Sequence, residues 1–434
     1  MTLKIASGSG RYHAYRSSGI ERLGQVPAHW RVCRLKGVCR FAYGDSLPAG
    51  VRGAGRSPVY GSNGQVGAHV ATNTLSPCIV VGRKGSFGKV HFSSRPVFAI
   101  DTTYYVDERH CSSNLRWLWR VLSWLRLDTV TRDSAIPGLS REDAYSRRVA
   151  LPPLAEQVSI GRFLDHVDGR IRRYVGAKRK LIALLEEEKQ AVINQAVARG
   201  LDPSVPLKPS GVDWLGDVPE HWEITRVKSE FQSLNRRRIP LSAVERGMMT
   251  VRKYDYYGAS GVIDKVDDYL FDDELLLIAE DGANLILRNL PLAIIARGKF
   301  WVNNHAHILK PRHGNLEYLA AVMEGLNYAP WISGAAQPKL TQDRLLNISI
   351  AVPPRAEQDR IIASANAATS GLTAAIARTH RQIELIEEYR TRLIADVVTG
   401  KLDVREAAAG LPEEPDETDQ TAGGPVEDVV ERAG

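Results

Sequence analysis

The chain has 434 residues, 44% of them apolar and 25% charged, with a formal net charge of +7, enough for two or three domains with cores of their own. No run of about eighteen apolar residues occurs, and Met1–Gly19 lacks an apolar stretch of signal-peptide length, so membrane insertion and secretion are disfavoured. Four cysteines, Cys33, Cys39, Cys78 and Cys111, show no C-x-x-C spacing, which disfavours a metal site or redox pair and fits a reducing, cytoplasmic location.

Residues 1–17 read as an N-terminal arm. Ser18 to Trp30 then spells Ser-Gly-Ile-Glu-Arg-Leu-Gly-Gln-Val-Pro-Ala-His-Trp, and the pattern returns at an offset of 192 from Ser210 to Trp222. His29 and His221 invite a catalytic reading, but a Trp beside a proline-fixed turn is read instead as architecture that holds each domain entrance. Further on, Tyr60-Gly61-Ser62-Asn63-Gly64-Gln65-Val66-Gly67 is a turn cluster. Cys78-Ile79-Val80-Val81 is a buried strand running into the loop Gly82–Lys89. That loop is no phosphate cradle, because Val90 follows Gly88-Lys89 where Ser or Thr is required.

The first mixed region, 18–152, gives way at Leu151-Pro152-Pro153-Leu154-Ala155-Glu156-Gln157 to a helix expected over 153–199. Apolar residues recur at Ile160, Leu164, Val167, Ile171, Tyr174, Leu181, Leu185 and Val192, the three-and-four spacing of a coiled-coil seam. Pro153 suits a first helical turn, and Glu156 lies on the favourable side of the helix dipole. At 1.5 Å per residue such a helix spans roughly 70 Å, far beyond an ordinary globular helix.

A proline-bearing linker, 200–211, leads to a second region, 212–353. It repeats the layout at an offset of 197, with Tyr257-Gly258-Ala259-Ser260-Gly261, then Leu275-Leu276-Leu277-Ile278 entering Glu280-Asp281-Gly282-Ala283-Asn284. Glu280-Asp281 stand where Arg83-Lys84 stand in the first copy, a reversal that a shared catalytic role would not tolerate. Val352-Pro353-Pro354-Arg355-Ala356-Glu357-Gln358 opens a second helix, 354–399, at an offset of 201. Ile361, Leu372, Ile376, Ile383, Ile386 and Leu393 keep its stripe. The internal duplication is therefore the first fact to explain. The two helices are read as packed on each other; the simpler alternative is that each covers its own domain.

Charge is unevenly placed. Residues 400–434 form an acidic tail rich in Pro, Gly and Glu, expected to be disordered. Residues 11–148 hold 21 Lys and Arg against 9 Asp and Glu, whereas residues 212–350 hold 16 against 18. A basic first half points to a polyanion such as nucleic acid.

No H-E-x-x-H, G-x-S-x-G or dinucleotide fingerprint occurs, and the Pro-Pro pairs lack the flanking residues of an adenine-methyltransferase motif. His305 and His307 have a metal-like spacing, but no third ligand is near in sequence; a polar turn or a base-reading group is expected there. The order of entrance signature, variable region and P-P-x-A-E-Q helix, given twice from Ser18 to Asp403, resembles the DNA-specificity subunit of type I restriction–modification systems. The resemblance implies an α+β fold of two similar mixed α/β target recognition domains, each followed by a long helix, with the helices packed as an antiparallel coiled coil. It implies a non-catalytic, DNA-binding subunit that reads a bipartite double-stranded DNA site. It further implies two methyltransferase (modification) subunits, which bring S-adenosylmethionine, and restriction subunits that use ATP and Mg. No cofactor is expected on this chain.

Base readers are expected in loops that differ between the halves: Arg52, Arg56, Ser62, Asn63, Arg83, Lys84 and Lys89 in the first. The second offers Asn235, Arg236, Arg237, Arg238, Arg252, Lys253, Tyr256, Asn303, Asn304 and Lys339. Arg and Lys suit guanine edges or phosphates, and Asn suits adenine. The alternative is a coiled-coil adaptor without sequence-specific DNA readout.

Overall fold

A computed structural model describes residues 10–53, 55–129, 138–281, 284–334 and 338–412. The chain divides into two compact units that cut across chain order. The first runs through Arg179 and resumes at Arg381, while the second holds Lys180–His380. Each long helix, Leu154–Arg199 and Arg355–Val398, therefore contributes residues to both. Among the described residues, no helix is long and apolar enough to cross a membrane.

The first unit opens with the hairpin Tyr15–Ser17/Gln25–Pro27, and Arg31–Arg34 pairs antiparallel with Arg148–Leu151. A four-stranded antiparallel sheet has the order Ala42–Tyr43, Thr103–Val106, Cys78–Gly82, Val90–Ser93. A three-stranded sheet holds Gly64–His69, Ser57–Gly61 and Phe98–Ala99. Val and Ile at 79–81 are buried on both faces of their strand, as a continuous apolar run demands. Below them, Trp117, Leu118, Val121 and Leu122 of the helix Leu115–Trp124 share one core with Ile160, Leu164, Val167 and Ile171 of the first long helix.

The second unit repeats this plan with its sheets merged. Glu223–Arg226 pairs with Ser349–Val352. Six strands take the order Phe231–Ser233, Ala306–Pro311, Phe271–Ala279, Ala293–Val302, Tyr254–Gly258, Gly261–Val266. The helix Leu316–Gly325 packs beneath, with Val197, Ile361 and Ile362 in the same core.

The repeated P-P-x-A-E-Q stretch is a clamp. Glu156 accepts from Trp30 Nε1 at 2.9 Å and meets His29 Nε2 at 2.6 Å; Glu357 does the same with Trp222 at 3.1 Å and His221 at 2.7 Å. Gln157 accepts from the Asn114 amide and Gln358 from the Asn315 amide, at 2.8 and 2.7 Å. Those asparagines cap the short helices of their units, so one dipeptide ties entrance, long helix and short helix together. The histidines are architectural, as the sequence suggests. Each second proline stands one residue before its helix, its carbonyl accepting the Glu and Gln amides.

Three expectations are corrected. The seam does not pass through Leu181, which is 39% exposed; Ile182 at 7% takes its place. Ile171, Ile182 and the half-buried Ile193 follow an eleven-residue repeat, closer to a straight helix's 3.6 residues per turn than the heptad's 3.5. Leu185 and Leu372 are half-buried, as are Ile383 and Ile386, which lie against the first unit's core. The tail is not disordered from residue 400: Arg405–Ala409 is helical, and Val404 and Ala408 are buried. Residues 413–434 lie outside the described residues. The arm is likewise part of the fold from Gly10, which pairs with Asp403.

Candidate nucleic-acid interface

Both units build their variable face on the same backbone. The hairpin Ser57–Gly61/Gly64–His69 shifts register between Val59 and Tyr60, and its counterpart shifts between Tyr256 and Tyr257, the same place at an offset of 197. Such bulges bend a strand and re-aim its side chains. The buried strands then deliver Arg83 in one unit and Glu280 in the other. The Arg83 amide donates to Thr102 O at 2.9 Å and its carbonyl accepts from Leu139 N at 2.9 Å. The Glu280 amide donates to His305 O at 2.9 Å and its carbonyl accepts from Leu340 N at 2.8 Å. One backbone position thus carries opposite charges.

In the first unit Arg56, Asn63, Lys84 and Lys89 are exposed, and Asn63 accepts from Lys89 Nζ. Two expected readers are engaged by the fold. Arg52 donates twice to Leu47 O, at 3.0 and 2.6 Å, and buried Ser62 donates to Thr102 O at 2.7 Å. Arg83 is half-buried, its guanidinium 5.1 Å from the centre of the Tyr43 ring and 6.0 Å from that of Tyr104.

The second unit departs further from expectation. Tyr256 is 1% exposed, with its hydroxyl bonded to the Leu241 backbone. Asn235 is buried against His307 and Gln342 at 2.8 and 2.7 Å, and buried Asn303 accepts from the His305 amide. Arg238 and Lys339 are ion-paired to Glu280, at 2.5 and 3.2 Å. Arg238 also donates to the carbonyls of Asn235, Asn304 and Ala306. These five side chains satisfy their own unit, because a buried donor or carboxylate must find a partner within the fold. Arg252 pairs with Asp264 at 3.2 Å, Arg237 lies over Phe271, and Lys253 lies over Tyr254. Arg236 and Asn304 remain exposed.

Charge state follows from these contacts. Burial raises the Glu280 carboxyl, but the Arg238 hydrogen bond and the charges of His307 and Arg238 bring it below its ordinary value. Burial holds His307 below the usual imidazole range, against the pull of the Leu340 carbonyl and Glu280. His307 is a structural group and His305 meets Asp281 at 2.9 Å. Among the described residues, no group of three metal-ligating side chains occurs.

The sequence missed Tyr43, Tyr104 and Arg141. Tyr43 is 45% exposed with Arg141 4.6 Å from its ring centre, and Tyr104 donates to Leu139 O at 3.1 Å. Their signal lay in the duplication, through the residues that replace them in the second copy.

The model of the type I restriction modification DNA specificity domain matches residues 27–178 and 219–384. A putative type I restriction enzyme specificity subunit of Haemophilus influenzae is 36% identical over 117 residues, 26% of this chain and 30% of that protein. The type I restriction enzyme MjaVIII specificity subunit of Methanocaldococcus jannaschii is 23% identical over 301 residues, 64% of this chain and 68% of that one. Among solved structures, the type I restriction-modification S subunit from M. genitalium aligns with TM-score 0.38 at 13% identity, covering 85% of this chain and 96% of that chain. Two copies of the domain together span most of the sequence, so the chain belongs to the type I restriction modification DNA specificity family.

Proposed function

We propose that the chain reads a bipartite duplex DNA site, one half-site per unit, and scaffolds the subunits that act there. The observation that carries this is the duplicated frame: clamps, hairpin bulges and strand positions repeat, while Glu280-Asp281 stand in the second copy where Arg83-Lys84 stand in the first. A frame that repeats with loops that differ is the arrangement for reading two sequences at a fixed separation.

The two long helices serve as the spacer, running as an antiparallel coiled coil. Support comes from each unit separately. Asp168 pairs with Arg390 at 2.7 Å in the first, and Val197 shares a core with Ile361 in the second. Each pairing joins an early part of one helix to a late part of the other, which favours opposite directions. Two methyltransferase subunits held on these helices would bring S-adenosylmethionine, and restriction subunits ATP and Mg. This chain contributes recognition and not chemistry.

The test exchanges residues 39–133 for the same region of another family member and profiles methylation in cells that also carry the methyltransferase. One half-site should change, and the other half and the spacer length should persist. A profile altered in both halves, or in neither, would put the adaptor without DNA readout in first place.

A further inference from the structure

The duplication supplies an internal control for individual side chains. Tyr43, Arg83, Tyr104 and Arg141 have counterparts Asn235, Glu280, His307 and Gln342, and each set is a contact cluster. The match extends to the backbone. Tyr104 Oη donates to Leu139 O at 3.1 Å, and His307 Nε2 meets Leu340 O, the residue in the same place, at 2.7 Å.

The two clusters differ in whether they are complete. In the second unit Asn235 joins His307 to Gln342, and Glu280 holds Arg238 and Lys339, so polar groups and charges are matched internally. In the first, two guanidinium groups approach one tyrosine ring, and among the described residues neither has a carboxylate partner. Tyr104 cannot serve as a counter-ion. Burial, with Tyr43 beside it, pushes its hydroxyl up to about 12, so it stays neutral. A guanidinium stacked on an aromatic face keeps its in-plane N–H fork free for a planar acceptor pair.

Resting on the DNA-reading function, we propose that Arg83, held against Tyr43 and Tyr104, reads the O6/N7 edge of a guanine in the first half-site. Arg141 and Tyr43 are positioning residues. The homologous cluster around Glu280 is closed by its own cations and reads no base. Bidentate Arg to guanine is the commonest specific contact in the major groove, and a stacked guanidinium arrives already oriented. Lys in its place would keep the charge and lose the fork.

The full chain, in complex with its methyltransferase partner, is offered duplexes randomised over both half-sites, and the bound fraction is sequenced at two salt concentrations. Arg83→Lys and Arg83→Ala should both relax one guanine position of the first half-site, lowering discrimination there roughly 5- to 150-fold. The second half-site should be unchanged, which also reports an intact complex. Tyr43→Ala should relax the same position more weakly, and Glu280→Gln should relax none. Normal discrimination in Arg83→Lys, or a uniform loss with a smaller salt slope in Arg83→Ala, marks a phosphate contact and overturns the proposal. A wild-type complex that selects no bipartite site overturns the DNA-reading function as well.

Discussion

Asp168 shows how one residue of a long helix is tied to its unit. It is buried, with Arg120 from the short helix and Arg390 from the second long helix both on its carboxylate. Burial alone would raise its pKa, but the bond from Arg390 and the charge of Arg120 bring it below the usual carboxylate value. With the folded value depressed, its stabilisation is fully present above an unfolded pKa of about 3.9 and is lost as pH falls through the folded one. Asp168→Ala should cost about 3 kcal/mol at neutral pH, the low end for a broken buried pair, since Arg120 keeps Asp165 at 2.7 Å. Denaturant unfolding at pH 7 and pH 3 checks both points: the gap between wild type and variant should narrow in acid. The clamp offers a matched pair. Glu156→Ala and Glu357→Ala each leave a buried Trp N–H without its acceptor, at about 1–3 kcal/mol, and the two costs should be similar.

At the scale of the element, burial separates two adjacent residues. Ile182→Asp should destabilise by several kcal/mol because it buries a charge, whereas Leu181→Asp should stay within about 0.5 kcal/mol; thermal unfolding of the two distinguishes them. A heptad reading would have the effects the other way round. Leu184 and Leu385, equivalent at an offset of 201, are 53% and 48% exposed. Large apolar side chains left outside at the same repeated position suit a partner that binds twice. Leu184→Asp with Leu385→Asp should therefore leave unfolding unchanged and cut co-purification with the methyltransferase at least tenfold. Full recovery of the complex would move its docking surface elsewhere.

Across the whole molecule, charge is divided between units, and ion pairs within each unit already hold some of its cations. Each phosphate neutralised contributes about 0.9 to the slope of log affinity against log salt. Arg56 and Lys84 are exposed and enter no ion pair among the described residues. Their joint replacement by Ala should lower the slope by about two. Arg238→Ala and Lys339→Ala, which remove cations already matched to Glu280, should leave it nearly unchanged. Fluorescence anisotropy over a salt series measures both, and equal slopes would mean that the ion pairs of the second unit open on DNA.

The sequence by itself determined the duplication, the order of the pieces, the long helices and the architectural role of His29 and His221. Each rests on a local pattern, either a repeat at a fixed offset or a period along one helix. It also located the charge reversal between Arg83 and Glu280. Only the tertiary structure decided which side chains are free. Arg238 looks like a reader until Glu280, 42 residues away, takes its guanidinium, and Tyr43 looks like an ordinary strand residue until Arg83 and Arg141 come to its ring. Partners so distant in sequence leave no periodicity to read. The seam slipped from Leu181 to Ile182 because a difference of 0.1 residue per turn accumulates over several turns, and neighbouring apolar residues gave no local sign of which one would be covered. The compact units follow the same logic, since a helix longer than a domain takes its neighbours from whatever packs along it.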